Sequence, residues 1–273
     1  MALVGVFDSG VGGLSIWREI ARRLPQCDIL YVADQAHVPY GPRPLAEVRR
    51  FAEEIARFLI GEGAQVVVLA CNTASAAALH YLRATFPQIP FVGMEPAVKP
   101  ATRNTRTGVV GVIATPATFQ GELFASLLER FATDVAVLTR VCPGLVEAVE
   151  DGALDTPETE ALVRSCLEPL LDARIDELVL GCTHYPFLRP LIERVVGPGV
   201  EVIDPAPAVA RQTERVLATR SVAPFPKGPA RHRFATTGDP VRFRSMVERL
   251  VGVAAEVEPL WWTPGGRLER AMA

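Results

Sequence analysis

One strand-to-helix junction occurs twice in this chain, and each copy places a cysteine at the turn. An apolar run at 66–70 leads into Cys71-Asn72-Thr73 and a helical pattern; another at 177–180 leads into Gly181-Cys182-Thr183-His184 and a second one. The cysteines stand 111 positions apart (182 − 71), and the strands that open the two series, near Val4 and Val109, stand 105 apart (109 − 4). Near-equal offsets mark one plan used twice.

Around these junctions, strand-length apolar runs alternate with amphipathic segments. The first series has strands at 3–7, 29–33, 66–70 and 91–93, with helical spacing at 14–23, 45–60 and 73–85. The second has strands at 108–113, 135–141, 177–180 and 200–203, with helices at 119–131, 156–173 and 185–195. This alternation predicts an α/β fold of two pseudo-symmetric lobes, each a mostly parallel sheet flanked by helices. Proline-bearing crossings at 95–100 and 204–207 divide the chain into a discontinuous first lobe, 1–97 plus 208–273, and a second lobe, 98–207. The last helices are expected to rejoin the first lobe, with a loop at 224–229 and a late strand at 231–237. Ligands gather at the carboxyl ends of strands in open parallel sheets. The active site is therefore expected in the interlobe cleft, where Asp8-Ser9, Cys71-Asn72-Thr73, the 115–118 segment and Cys182-Thr183-His184 would meet.

Composition narrows the chemistry. A length of 273 residues suits one large domain or two lobes. A net charge of −3 argues against a nucleic-acid partner, which calls for a basic surplus. No run approaches the ~18 apolar residues of a membrane span, and the first residues carry no basic leader. Five cysteines, an odd number, read as free thiols in a reducing cytoplasm rather than a disulfide framework. Cys27, Cys142 and Cys166 lack the junction context and read as structural.

Cys71 and Cys182 sit where backbone amides and a helix dipole favour a thiolate. One thiolate can remove a proton while a thiol on the opposite face returns one; the alternative is that both are small buried hydrophobes. The turn Phe7-Asp8-Ser9-Gly10-Val11-Gly12-Gly13-Leu14-Ser15 is glycine-rich, but Ser15 stands where a dinucleotide fingerprint needs its third glycine, and no Gly-Lys-Ser/Thr follows. An acid at Asp8 would repel phosphate. It suits an ammonium group or a nearby base, while the amides hold a carboxylate. With four histidines and no matching cluster, His184 reads as tuning the thiol or assisting proton transfer, and no metal is expected. The lysines, Lys99 and Lys227, lie in proline-flanked segments, which disfavours a Schiff-base lysine; no cofactor is expected.

Together, Phe7-Asp8-Ser9-Gly10-Val11-Gly12-Gly13-Leu14, Pro39-Tyr40-Gly41, Ala70-Cys71-Asn72-Thr73-Ala74-Ser75, Gly181-Cys182-Thr183-His184-Tyr185-Pro186 and Phe234-Ala235-Thr236-Thr237-Gly238-Asp239 resemble the glutamate racemase family, within the aspartate/glutamate racemase group. The resemblance implies that Cys71 and Cys182 transfer the protons, assisted by Asp8, His184 and Glu150, with Glu147 as fallback. It implies substrate contacts at Asp8, Ser9, Tyr40, Gly41, Asn72, Thr73, Thr118, Thr183 and His184. It also implies glutamate as substrate, a role in bacterial wall synthesis and a homodimer. Ala33 and His37 depart from the family pattern. A racemase of aspartate or another acidic amino acid, a one-cysteine decarboxylase of the superfamily and a non-catalytic two-lobed ligand-binding protein stand as alternatives.

Overall fold

The computed structural model describes residues 3–219 and 230–271; the loop expected at 224–229 and Lys227 lie outside them. The first sheet is opened by β1 (Leu3–Asp8), β2 (Asp28–Ala33), β3 (Val66–Leu69) and β4 (Phe91–Val92), connected through α1 (Leu14–Arg23), α2 (Leu45–Gly61) and α3 (Asn72–Thr85). After α4 (Val98–Asn104) come β5 (Val109–Ala114), α5 (Pro116–Gln120), α6 (Glu122–Phe131), β6 (Ala136–Val141), α7 (Leu145–Glu150) and α8 (Pro157–Asp172). Then follow β7 (Glu177–Gly181), α9 (Arg189–Val196), β8 (Glu201–Ile203) and α10 (Ala206–Thr219). β9 (His232–Thr236), α11 (Pro240–Val251), β10 (Val257–Trp262) and β11 (Leu268–Arg270) complete the described chain.

The strands form two sheets, ordered β11-β10-β9-β2-β1-β3-β4 and β6-β5-β7-β8. All pairings are parallel except β10 with β11. Matching β1 to β5, β2 to β6, β3 to β7 and β4 to β8 gives the same order in both sheets, so the repeat legible in the sequence is a repeat of topology. Cys71 follows β3 and Cys182 follows β7, which are equivalent strands. β3 and, after Glu177, the rest of β7 are continuous apolar runs because both faces are covered, and every residue of each strand is buried. Each fully buried Val or Leu side chain contributes roughly 1.5–3 kcal/mol relative to exposure.

The first sheet is extended beyond β2 by β9 to β11, and α10 packs against α1, α11 against β10 and α1. The last helices therefore rejoin the first sheet. Three local expectations need correction. Residues 119–131 are not one helix: α5 and α6 meet at an extended Gly121, where a Cβ would lie 2.7 Å from the Ala76 Cβ. Residues 185–195 begin as a 3₁₀ turn over Tyr185–Leu188 before α9, since Pro190 has no N–H to continue an α-helical ladder. Cys142 and Cys166 are not free; they are joined as a disulfide linking the segment before α7 to α8.

Candidate active site

The carboxyl ends of β1, β3, β5 and β7 face one another, and between them lies a cavity of about 20 Å³. Ser9, Tyr40, Gly41, Cys71, Asn72, Thr73, Cys182, Thr183 and His184 line it. Pro39, Thr115 and Val146 line it as well.

Cys71 is the N-cap of α3, in extended conformation, and its sulfur accepts the Ala74 N–H at 3.4 Å. Burial, and after it the charge of Asp8, pushes the Cys71 thiol well above its ordinary range despite that bond. The helix terminus alone does not make a thiolate here. Cys182 has a different neighbour: its sulfur is 3.7 Å from His184 Nδ1, and His184 Nε2 is 2.7 Å from Glu150 Oε1. Burial opposes charge on His184, but Cys182 and Glu150 outweigh it and hold the imidazole well above its usual pKa. Burial likewise opposes charge on Glu150, yet its bonds to His184, the Val11 N–H and Gln35 leave it below the usual carboxylate value.

Asp8 and Glu150 stand behind the cavity wall. Asp8 accepts the Gly10 N–H at 2.8 Å and the Thr183 hydroxyl at 2.9 Å. Burial raises its pKa to about 6, moderated by His184 and these bonds. Glu150 is the last residue of α7 and accepts the Val11 N–H at 2.7 Å and Gln35 Nε2 at 3.1 Å. Glu150, not Glu147, therefore reaches His184; Glu147 lines a neighbouring cavity.

The glycine-rich turn does hold a carboxylate on an amide, but the carboxylate is the protein's own Glu150. Its glycines make room for the second lobe. A Cβ on Gly10 would fall 1.8 Å from Glu150 Oε1, and one on Gly12 would fall 2.4 Å from His184 Nδ1 and 2.6 Å from Thr183 Oγ1. Tyr31 anchors the turn from beneath by donating to the Gly10 carbonyl at 2.7 Å.

Thr118 is buried and bonds the Thr115 hydroxyl at 3.0 Å without lining the cavity; Thr115 lines it and bonds Thr73 Oγ1 at 2.8 Å. Sequence reasoning brought the 115–118 segment to the site and chose the outer threonine. The better signal was position, since Thr115 is the first residue after β5, as Cys182 is after β7. Asn72 is buried with both side-chain polar atoms lacking a protein partner, which leaves an amide free for a ligand. Lys99 lies elsewhere, its Nζ 5.3 Å from the centre of the Phe131 ring. Among the described residues, no group of three or more His, Cys, Asp or Glu side chains is arranged to hold a metal, and no helix is long and apolar enough to cross a membrane.

Asp8 carries a stability consequence with a definite sign. Its folded pKa lies above the unfolded 3.8, so its favourable contribution is present below that value and lost as pH rises through about 6. At neutral pH the buried charge opposes folding by about 3 kcal/mol. Asp8→Asn is expected to raise the urea midpoint at pH 7.5, with the difference closing below pH 4, while activity falls. Equal midpoints at pH 7.5 would show that Asp8 is not strained.

The Asp/Glu/Hydantoin racemase family model matches residues 12–213 of this two-lobed fold, which places the chain among the racemases of that family. The glutamate racemase of Roseiflexus sp. (strain RS-1) is 51% identical over 248 residues, covering 90% of this chain and 91% of that protein. Among solved structures, a glutamate racemase isoform from Bacillus anthracis is 36% identical with a TM-score of 0.86, covering 94% of this chain and 97% of that one. The Francisella tularensis glutamate racemase, solved in complex with D-glutamate, is 30% identical with a TM-score of 0.83 and covers the same shares, 94% and 97%. The chain belongs to the glutamate racemase family.

Proposed function

We propose that this chain interconverts L-glutamate and D-glutamate without a cofactor, moving one proton at the α-carbon between Cys71 and Cys182. The observation that carries this reading is that both sulfurs, from equivalent strand ends of two sheets, line one cavity with polar groups between them. A thiolate on one face takes the α-proton and becomes a thiol; the electron pair rests on the substrate; the thiol on the opposite face gives its proton to the carbon. Running the steps backwards gives the reverse reaction, and the cycle needs no oxidant. His184, paired with Glu150, stands beside Cys182, and Asp8 stands near Cys71. Proximity of the base accounts for as much as about 7–11 kcal/mol of barrier lowering, and fixed donors on the substrate carboxylates add several more. The amide of Asn72, which has no partner within the protein, is such a donor.

A cavity of about 20 Å³ holds a water and not an amino acid, so substrate enters through movement of the lobes or of the Pro39–Tyr40–Gly41 segment. On this reading the chain supplies D-glutamate for peptidoglycan and works as a cytoplasmic homodimer. Aspartate is the alternative substrate, and parallel assays of L-glutamate and L-aspartate separate the two. The decisive measurement for two bases is solvent deuterium uptake from each pure enantiomer, with no cofactor added. Deuterium is expected in the product and hardly at all in unreacted substrate. Rapid exchange into unreacted substrate of both hands would indicate one shared base and sink the mechanism.

A further inference from the structure

Asp34 follows β2 and opens the loop that carries Tyr40 and Gly41, yet it does not line the cavity. Its carboxylate is fully buried and meets four side chains. The Tyr40 hydroxyl lies 2.6 Å and His37 Nδ1 2.9 Å from Oδ2; the Trp262 indole N–H donates at 2.7 Å and the Thr237 hydroxyl at 2.8 Å to Oδ1. His37 and Tyr40 belong to the loop. Thr237 and Trp262 come from the ends of β9 and β10, the strands that extend the first sheet beyond the repeated unit. The His37 ring stacks on Phe51 at 3.9 Å and meets Trp262 edge-on at 5.1 Å. One carboxylate thus ties the loop to the added strands.

The tip of that loop touches the second lobe. The Gly41 carbonyl accepts the Ala117 N–H at 3.2 Å, and a Cβ on Gly41 would lie 2.8 Å from the Thr115 Cβ. Tyr40 lines the cavity itself. Where Tyr40 is held therefore fixes how the loop closes over Cys71 and where Gly41 meets the other lobe. A phenol that donates to Asp34 has spent its proton there, so its part is to hold the loop.

We propose that Asp34 is a positioning residue for racemisation: it anchors Tyr40, and Trp262 fixes the Asp34 carboxylate from the added strand β10. The inference rests on the glutamate racemase reading above. It assigns β9 and β10 a task in the reaction, although neither lines the cavity.

The test is a double-mutant cycle of Tyr40→Phe and Trp262→Phe, each of which keeps its ring, with Asp34→Asn as a further variant. kcat and KM for L-glutamate are measured well below each unfolding midpoint. In parallel, iodoacetamide labelling rates at Cys71, Cys182 and Cys27 are followed by mass spectrometry. Trp262→Phe and Tyr40→Phe are each expected to raise KM about tenfold with a smaller fall in kcat, and the double variant to be no worse than the poorer single one. Cys71 labelling is expected to quicken several-fold while Cys27, buried before the opposite end of β2, does not change. A purely structural role would instead lower the midpoint and expose Cys27 along with Cys71. Wild-type kcat and KM in Trp262→Phe, or effects that add in full, would overturn the proposal. A wild-type protein that fails to racemise glutamate would count against the functional reading alone, because the labelling rates still report whether Asp34 and Trp262 hold the loop.

Discussion

Cys71→Ser and Cys182→Ser are each expected to stop racemisation, with kcat/KM falling by at least about a thousandfold, while the fold remains. The reason differs at the two sites. Serine is among the preferred N-cap residues, so at Cys71 the bond from the Ala74 N–H survives and α3 keeps its cap. What disappears is the sulfur, whose thiol is a stronger acid than the hydroxyl that replaces it. At Cys182 the loss also removes the sulfur partner of His184, so its imidazole is expected to become less basic. Each single variant keeps one base on one face. It should still exchange the α-proton of one enantiomer, or eliminate a β-leaving group from an analogue of one hand, with opposite preference in the two variants. Circular dichroism checks the fold and a polarimetric assay the turnover. Normal interconversion by either variant would end the two-thiol assignment.

Gly10→Ala is expected to lower kcat/KM by about a hundredfold, although position 10 supplies no chemical group. The new methyl would fall 1.8 Å from Glu150 Oε1. A glutamate terminus often swings aside, but this one is pinned by the Val11 N–H, His184 Nε2 and Gln35 Nε2. Moving it unpairs His184 and withdraws support from Cys182; leaving it in place parts the lobes. Gly61→Ala is the control, since a Cβ there meets nothing within 4 Å. Comparable activity in the two variants would mean that the turn is not where the lobes meet.

The architecture was legible because its signals are local and repeated. Apolar runs of strand length covered on both faces, and α1 with its basic last turn, are written in consecutive residues. So were Cys71 and Cys182, each at the end of an equivalent run. The glycine-rich turn was read as unsuited to phosphate and able to hold a carboxylate, but which carboxylate was out of reach, because Glu150 arrives from 139 positions away. Nor could spacing reveal that Cys142 and Cys166 meet, as that follows from how α8 packs beside the segment before α7. β10 was missed for a physical reason. It carries Pro259 and a largely uncovered surface, so it lacks the periodic pattern of a buried strand. Asp34 was passed over because an acid after a strand looks like an ordinary turn residue until its four partners are in view.

The shared strand order of the two sheets has a consequence for handedness. Two separate, identical half-molecules facing each other would offer a bound ligand the same wall on either side. A single polypeptide can furnish its walls differently, and this one does, with an aspartate near one sulfur and an imidazole near the other. The reaction it catalyses erases the difference between mirror images, but the pocket that performs it is itself lopsided.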